Sequence, residues 1–382
     1  MPDSSLPVSS MPDSQNKKLP FTVMCSLLLL LVAASGCESD VAPASADEGS
    51  IEPDTLYIDN FEEIITTESM LLAQPFGPVI YRTEGEDRLA YFDYGHNQVR
   101  IFSTDGELLL EFGSTGGGPG EWEEMSGAGH LSIAGEQIYL TDHGHFTYDL
   151  FTTDGDFIRS IEMPRHLNYN DKYLIEENRL LAATNGHEDA LAVIVDLEND
   201  GEILQHIGES LADPPTHRTL EEERLAYAEG EVPEVALNEA LVRPAENGYL
   251  LLMNSMGELR FYDLEGDLTF QSSLPEEIKD PIFEFISWSN RENAAPHTVM
   301  PLRYIRYMVV ADDQIYLLSS NFPQADELDD HLLVYNLDGE LIRHLVLVDR
   351  ENEAVFSGFG IDSSRNLYLT EVMSARVLKT GI

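Results

Sequence analysis

The chain has 382 residues and a formal net charge of −47, from 69 acidic against 22 basic residues, and 43% of its residues are hydrophobic. The apolar content supports a large core and excludes a wholly disordered chain. The charge would repel the phosphates of a nucleic acid, so no nucleic-acid partner is predicted. Acids spread along the chain with very little lysine resemble the composition of proteins from salt-loving organisms. An acidic protein from an ordinary organism is the alternative.

The N-terminal segment has the layout of an export signal. Two lysines precede an apolar run over residues 21–34, which is followed by small residues and Cys37. A run of about 14 residues is short for a membrane-spanning helix, which needs roughly 18 or more. Residues 34–37, ASGC, resemble the lipobox of bacterial lipoproteins. The resemblance implies cleavage after residue 36 and acylation of Cys37, the predicted lipidation site; a plain signal peptide with a chance cysteine is the alternative.

The segment after the cysteine differs in composition from the rest of the chain. Residues 37–53 consist mostly of Ala, Ser, Asp, Glu and Pro without apolar periodicity, and are predicted to be a flexible tether. Cys25 lies in the signal peptide of residues 1–36, so the processed chain would retain one cysteine and no internal disulfide. Residues 54–382 are the predicted folded domain.

This domain is built from a repeated pattern. Each copy has an apolar strand, a short polar loop, a second strand, an Asp-Gly or Glu-Gly turn and a third strand. Such a turn between apolar runs favours a hairpin, because glycine tolerates the positive φ that the turn needs. The copies are residues 88–112, 137–161, 179–206, 248–270, 314–345 and the incomplete 366–382.

The repeats predict an all-β fold, a six-bladed β-propeller. The last copy has only the first two of its strands, and residues 55–65 are predicted to complete that blade, so that strands from both chain ends close the ring. An inner strand should precede each copy. The candidates are residues 79–82, 128–133, 171–175, 240–243, 306–311 and 356–361. Rings of five or seven blades remain open alternatives.

A glycine-rich segment follows the first repeat. Residues 112–122, FGSTGGGPGEW, resemble the NHL-type repeat and, with the repeats, the six-bladed β-propeller (NHL/TolB-like) bacterial lipoprotein family. The glycines should permit a tight crossing between blades, which Glu121 and Trp122 should hold, and Gly118 is expected to matter for folding. A phosphate-binding loop is the rival interpretation, but no convincing helix follows and no lysine is near.

The loops after each first apolar strand and the crossings between blades should share one face, called here the loop face. Two crossings are long, residues 208–238 and 273–303, and residues 217–229 are a candidate short helix. Long insertions on one face commonly build a binding surface, so this face is the predicted ligand site.

Histidines are frequent in these loops. Together with Asp142 and Asp189 they raise the alternative of a metal ion in the channel, whereas solvated loop histidines are the simpler interpretation, because no tight ligand spacing occurs. The histidines in question are His96, His143, His145, His166, His187, His217 and His297.

The sequence contains no nucleophile elbow, Walker loop, dinucleotide fingerprint or zinc-binding cysteines, so no catalytic residue, metal ligand or cofactor is predicted. The leading interpretation is a membrane-attached cell-envelope propeller, facing the periplasm or the cell surface, that binds a protein, peptide or glycan through its loop face. The alternative is a metal-dependent propeller enzyme, a lyase or lactone hydrolase, with a site at the central channel.

Overall fold

The computed structural model describes residues 55–66, 77–122, 131–164, 167, 171–199, 201–214, 219–292, 298–320, 330–349, 354, 356–371 and 375–382. The predicted signal peptide, tether and Cys37 lie outside the described residues. Within them, no helix has the length and apolar content needed to cross a membrane.

Two short strands open the described chain, β1 (Thr55–Ile58) and β2 (Glu62–Ile65). Blades 1, 2 and 3 follow as four-stranded antiparallel sheets. Blade 1 consists of β3 (Val79–Thr83), β4 (Glu86–Asp93), β5 (Gln98–Ser103) and β6 (Leu108–Phe112). A small parallel pair in the next crossing consists of β7 (Ser114–Thr115) and β8 (Glu121–Trp122). Blade 2 consists of β9 (Leu131–Ala134), β10 (Gln137–Asp142), β11 (Thr147–Thr152) and β12 (Phe157–Glu162). Blade 3 consists of β13 (Lys172–Glu176), β14 (Arg179–Ala183), β15 (Ala190–Asp196) and β16 (Glu202–Glu209).

The second half of the chain repeats this plan and carries the two helices. Helix α1 (Leu220–Glu229) precedes blade 4, which consists of β17 (Ala240–Ala245), β18 (Gly248–Met253), β19 (Glu258–Asp263) and β20 (Leu268–Ser273). Helix α2 (Glu276–Glu292) precedes blade 5, which consists of β21 (Ile305–Ala311), β22 (Gln314–Ser319), β23 (Asp330–Asn336) and β24 (Leu341–Leu347). Blade 6 has β25 (Phe356–Ile361), β26 (Asn366–Glu371) and β27 (Arg376–Gly381) from the C-terminal end.

The six blades form a closed ring. The first strand of each blade contacts the first strands of both neighbouring blades, and β25 of blade 6 contacts β3 of blade 1. The described residues therefore form an all-β, six-bladed β-propeller, as the repeats predict. All six predicted inner strands are found, although residues 128–130 lie outside the described residues.

Both chain ends contribute to blade 6, as predicted. Strand β2 pairs antiparallel with β27, with Glu62 opposite Lys379, and so supplies the fourth strand. The N-terminal segment is nevertheless two strands and not one. Strand β1 lies parallel to β24 as a fifth strand of blade 5, and residues 59–61 carry the chain from one blade to the next.

The apolar core lies between the blades. The central strands are apolar on both faces because each blade is covered by a neighbour on either side. Their turns follow the predicted chemistry, since Gly106, Gly155 and Gly266 all have φ between 84° and 90°.

The two long crossings form helical layers over blades 4 and 5. Helix α1 begins at Leu220, inside the segment predicted as a helix. In α2, Ile278, Ile282 and Ile286 recur at four-residue spacing and pack into the core cluster of blades 4 and 5. Tyr227 of α1 joins the same cluster. The helices therefore enlarge the loop face while staying anchored to the core.

Candidate functional site at the central channel

The inner strands surround a cavity of about 580 Å³. Its wall takes residues from all six blades, so the cavity occupies the central channel. Asn185 and Asn254, from loops between second and third strands, line its loop-face end, together with Glu239 and Arg303 at the ends of the two long crossings. The cavity therefore opens on the predicted binding face.

Cations outnumber acids on this wall. Its described cationic residues are Lys172, Arg243, Arg303 and Arg306, and its described carboxylates are Asp171 and Glu239. In a chain of net charge −47, the described charges of this wall therefore have the opposite sign to the protein as a whole. A cleft lined by one sign of charge focuses its field on the space inside, so the wall favours anionic groups over cationic ones.

Arg243 of blade 4 is held by groups from blades 3 and 5. Its Nη1 donates to Asp171 Oδ2 at 2.6 Å, and its Nε donates to the carbonyl oxygen of Met308 at 2.8 Å. Its guanidinium carbon lies 5.1 Å from the ring centroid of Tyr173 and 5.8 Å from that of Tyr307. Burial opposes the charge on Arg243, but the carboxylate and the two phenols outweigh it and raise its pKa above the usual value.

Asp171 connects the inner strands of blades 3 and 4. The carboxylate oxygen that accepts from Arg243 also accepts the backbone N–H of Val242 at 2.7 Å. That N–H lies on the channel edge of β17, where no strand can pair with it. A side chain from the preceding blade therefore satisfies a backbone donor that would otherwise be buried without a partner.

Lys172 is the next residue and is 2% exposed. Burial lowers its pKa from 10.5 to about 7, and the charge of Asp171 opposes that shift. Its amine therefore changes charge near neutral pH, unlike an ordinary lysine. A group of this kind in a cavity is a candidate binding residue.

The other two cations each have a carboxylate. Arg303 Nε donates to Glu239 Oε1 at 2.9 Å at the mouth. Arg306 pairs with Asp330 of β23, and its Nε donates to the carbonyl oxygen of Ser319 at 2.8 Å. Asp330 also accepts the N–H of Phe356 in blade 6 at 3.3 Å. These pairs hold the mouth and the neighbouring blades in register.

Two of the candidate metal-binding histidines, His96 and His145, are engaged within their own loops. His96 Nδ1 lies 2.8 Å from Asp93 Oδ2, and His145 Nδ1 lies 2.6 Å from Asp142 Oδ2. The same Asp142 accepts the backbone N–H groups of Gly144 and His145, so it caps its loop. Among the described residues no three His, Cys, Asp or Glu side chains come together in a metal-binding group. His166, His217 and His297 lie outside the described residues, and His187 lies in a short 3₁₀ turn.

The glycine-rich crossing has the structural role predicted for it. Glu121 accepts the N–H of Gly118 at 2.9 Å, and the fully buried Trp122 donates from Nε1 to Asp149 Oδ2 at 3.0 Å. The carbonyl oxygen of Trp122 accepts from Asn97 Nδ2 at 3.2 Å. Glu121 thus holds the crossing together internally, and Trp122 ties it to blades 1 and 2.

The channel residues were not identified from the sequence, although three of the predicted inner strands contain or adjoin them. A usable signal was present: Lys172, in a chain with five lysines, occupies a predicted inner strand. A charged residue at such a position must face either a partner or a cavity.

Comparison with known proteins agrees with the architecture. Residues 62–212 match the model of a family described as "6-bladed beta-propeller". No curated protein matches the sequence. Together with the closed ring of blades, the family match confirms the predicted resemblance to six-bladed β-propellers.

Solved structures of similar fold share little sequence with this chain. A putative exported protein of Bacteroides fragilis is 11% identical with a TM-score of 0.50, covering 85% of this chain and 98% of that one. A streptogramin B lyase is 11% identical with a TM-score of 0.47, covering 84% of this chain and 96% of that one. A protein of unknown function from Bacteroides caccae is 12% identical with a TM-score of 0.38, covering 78% and 83%. At 11% identity, the likeness to the exported protein shows the fold alone.

Proposed function

We propose that this protein is a lipid-anchored binding protein of the cell envelope, whose loop face takes a protein, peptide or glycan ligand at the mouth of the central channel. The observation that carries the proposal is the cavity of about 580 Å³ that opens on this face, with a wall opposite in charge to the rest of the chain. Concave sites with a few convergent polar groups are where propellers and other folds bind ligands.

The helical layer adds an exposed aromatic group to the loop face. Trp288 of α2 is 42% exposed, and its ring lies 5.8 Å from that of Phe285. Helix α2 belongs to the crossing that ends at Arg303 on the cavity wall. Exposed tryptophan is enriched at binding sites because it buries much apolar area at a small cost in side-chain entropy. The layer therefore supports binding of a ligand larger than the cavity itself.

No arrangement of the described residues favours the alternative, a metal-dependent enzyme, because no three of their His, Cys, Asp or Glu side chains come together in a metal-binding group.

A glycan and peptide array probed with the full chain tests the proposal. Trp288→Ala should weaken the strongest interactions about tenfold or more, because truncating an interface tryptophan removes a hot-spot contact. Leu264→Ala is the matched control: Leu264 is 53% exposed in a hairpin turn on the opposite face, so its loss should change nothing. Unchanged binding of the Trp288 variant would remove the helical layer from the binding surface, and an equal loss in both variants would mean that the loss is not specific to the loop face. A chain that captures nothing on the array would contradict the binding function.

The anchor has its own test. Cys37→Ser should release the protein from the membrane fraction, because a serine hydroxyl cannot accept the thioether-linked lipid and the other acyl chains depend on that step. Mass spectrometry of the wild-type N-terminus should show the lipid on Cys37. A serine variant that still sediments with membranes, or a wild-type chain without lipid, would contradict the anchor.

A further inference from the structure

We propose that the solvent-facing side of helix α2 binds an extended, lysine- or arginine-rich segment of another protein. The inference rests on the proposed function, because it names the chemistry of a partner for the helical layer of the loop face. It assigns a role to one aromatic side chain and three carboxylates that the packing of the helix does not require.

One side of α2 faces solvent along most of the helix. Its members recur at intervals of three or four residues, so they lie on one line, called here the outer stripe. The outer stripe consists of Glu277, Asp280, Pro281, Glu284, Trp288 and Arg291, all of them exposed. The opposite side carries Ile278, Ile282 and Ile286, which pack into the core cluster of blades 4 and 5. The helix is therefore anchored by one side and presents the other to solvent.

The first half of the outer stripe is acidic. Glu277, Asp280 and Glu284 follow one another at successive turns of the helix. Among the ion pairs formed by the described residues, none joins a cation to any of these three carboxylates. Carboxylates in line at the surface attract a partner that carries several positive charges.

The two cations of α2 are engaged away from these carboxylates. Lys279 Nζ lies 2.8 Å from Glu276 Oε1, beside the outer stripe. Arg291, at the far end of the stripe, donates from Nη1 to the carbonyl oxygen of Ala228 in α1 at 3.3 Å. The helix therefore does not neutralise the acidic half of its own outer stripe.

Trp288 places an aromatic ring one turn beyond Glu284. The residue is 42% exposed, so part of the indole is open to solvent. A lysine or arginine side chain packs its aliphatic part on such a ring, and its charged group is attracted to the face of the ring within about 6 Å. An indole and a carboxylate one turn apart therefore match a basic side chain better than a neutral or an acidic one.

The spacing of the outer stripe suits an extended chain. Neighbouring members are three or four residues apart, which is about 4.5 to 6 Å along the helix axis. Alternate side chains of an extended peptide point the same way at intervals of about 6.6 Å. A segment with a basic residue at every second position can therefore place one cation near each carboxylate and the next near the indole, and the flexible basic side chains absorb the difference in spacing.

Other occupants match the outer stripe less well. A second copy of this chain carries the same net charge of −47, and both it and an acidic glycan are repelled by the carboxylates. A neutral glycan or an apolar segment would use Trp288 and leave the three carboxylates unmatched. A basic segment satisfies both parts of the stripe.

Trp288 also reports on its own surroundings. The chain has two tryptophans, and the other, Trp122, is fully buried. Quenching of the full chain's fluorescence by acrylamide, a neutral quencher, therefore measures the exposure of Trp288, and Trp288→Phe should remove most of that quenching. The probe is an acetylated and amidated octapeptide of alternating lysine and serine. Its neutral match has glutamine in place of lysine.

The lysine peptide should lower the quenching constant of Trp288 by about half, because it covers one side of the ring. The glutamine peptide should leave the constant unchanged. No protection by the lysine peptide, or equal protection by both peptides, would overturn the proposal. Protection that grows with protein concentration in the absence of peptide would show that a second copy covers the helix, and would overturn it too.

Charge variants separate the outer stripe from the general acidity of the protein. Combining Glu277→Gln, Asp280→Asn and Glu284→Gln should weaken binding of the lysine peptide about tenfold, as expected for the loss of three exposed ion pairs. The control combines Asp154→Asn, Glu202→Gln and Glu265→Gln, three exposed acids at or beside the hairpin turns of blades 2, 3 and 4. It changes the net charge equally and should alter binding less than about twofold. Equal weakening in both triple variants would refute the assignment to α2.

The two proposals fail in different ways. Array ligands that need Trp288 but not the three carboxylates, with no protection by the lysine peptide, would leave the binding function standing and remove the basic partner. Protection by the lysine peptide in a chain whose array ligands do not depend on Trp288 would leave the contact on α2 and move the larger binding function to another surface.

Discussion

Gly113 and Trp122 meet at the junction between blades 1 and 2. Gly113 has φ +89°, and a Cβ built on it would lie 1.9 Å from Cζ3 of the buried Trp122. Gly118, which the sequence singles out, is less constrained, since its Cβ would first meet the end of the Glu121 side chain at 2.9 Å. The position that most strictly requires glycine is therefore Gly113, at the start of the run, where the buried indole ring packs against the backbone.

Gly113→Val should destabilise the fold by about 3 kcal/mol or more, because the side chain must both adopt a strained φ and displace a buried tryptophan. Gly117→Ala is the matched control, since nothing lies within 4 Å of a Cβ there. That control should stay within about 0.5 kcal/mol of wild type. Melting temperatures from differential scanning calorimetry would check both, and equal melting of wild type and the Gly113 variant would contradict the packing at this junction.

Lys172 makes stability depend on pH in a defined direction. Its pKa falls from 10.5 in the unfolded chain to about 7 in the fold, so between these values the unfolded chain holds a proton that the folded chain has lost. The contribution of Lys172 to stability therefore rises with pH over this window and is least favourable below pH 7.

Lys172→Met should stabilise the protein at pH 6 by on the order of 3 kcal/mol, because it removes a buried charge and fills the same volume. This gain in stability should shrink as the pH approaches 10, because Lys172 of the folded wild-type protein is then uncharged and no longer destabilises the fold. Melting curves of both proteins across this range would measure it, with Lys279→Met, which removes an ion pair to the exposed Glu276, as the surface control. A methionine variant that melts below wild type at pH 6 would show that the charged amine stabilises the fold.

At the scale of elements, the two N-terminal strands join different blades. Strand β2 completes blade 6, and its Ile65 is buried against the core, whereas most of β1 is exposed on the edge of blade 5. One β-rich run of eleven residues in the sequence gives no sign of this division. Which blade each N-terminal strand joins depends on the edges of β24 and β27, and these edges exist only after the other blades have formed.

Two truncations separate the contributions of β1 and β2 to stability. Removing residues 1–60 takes away β1 and should lower the free energy of unfolding by about 1 kcal/mol, because three of its four residues are exposed and the strand buries little apolar surface. Removing residues 1–66 also takes away β2. This leaves the edge of β27 unpaired and removes the buried side chain of Ile65 from the core, so it should lower the free energy of unfolding by about 4 kcal/mol more. Thermal melting of the two truncated chains tests this. Equal melting temperatures would mean that β2 does not close the ring.

Helix α2 shows a second limit of prediction at this scale. Pro281 inside Glu276–Glu292 argues against a helix, and the sequence therefore indicated only a long crossing. The helix forms because Ile278, Ile282 and Ile286 can reach the core cluster of blades 4 and 5. Burial of these side chains outweighs the helix-breaking effect of the proline. That burial depends on how the blades pack, so the sequence alone does not show it.

For the whole molecule, the repeats were enough to predict the ring, and the channel site was not predictable from them. Asp-Gly turns and the apolar runs on either side of them are local signals, so each blade could be recognised separately. The site depends on Asp171 meeting Arg243, 72 residues away in the chain, and on Arg243 meeting Met308, a further 65 residues on. Such contacts follow only from the angle and spacing between blades, which no local pattern records.

The net charge of −47 gives the last prediction, for the molecule as a whole. Like charges on a compact surface repel more than in an expanded chain, and salt shortens the range of that repulsion from about 30 Å at 0.01 M to about 10 Å at 0.1 M. Sodium chloride should therefore raise the melting temperature by on the order of 5 °C between these concentrations. If screening is the cause, the rise should flatten above about 1 M, where the range is already near 3 Å. A continuing rise at higher salt would support the salt-loving composition, and a melting temperature that falls with salt would mean that attractive ion pairs such as Arg306 with Asp330 outweigh the repulsion.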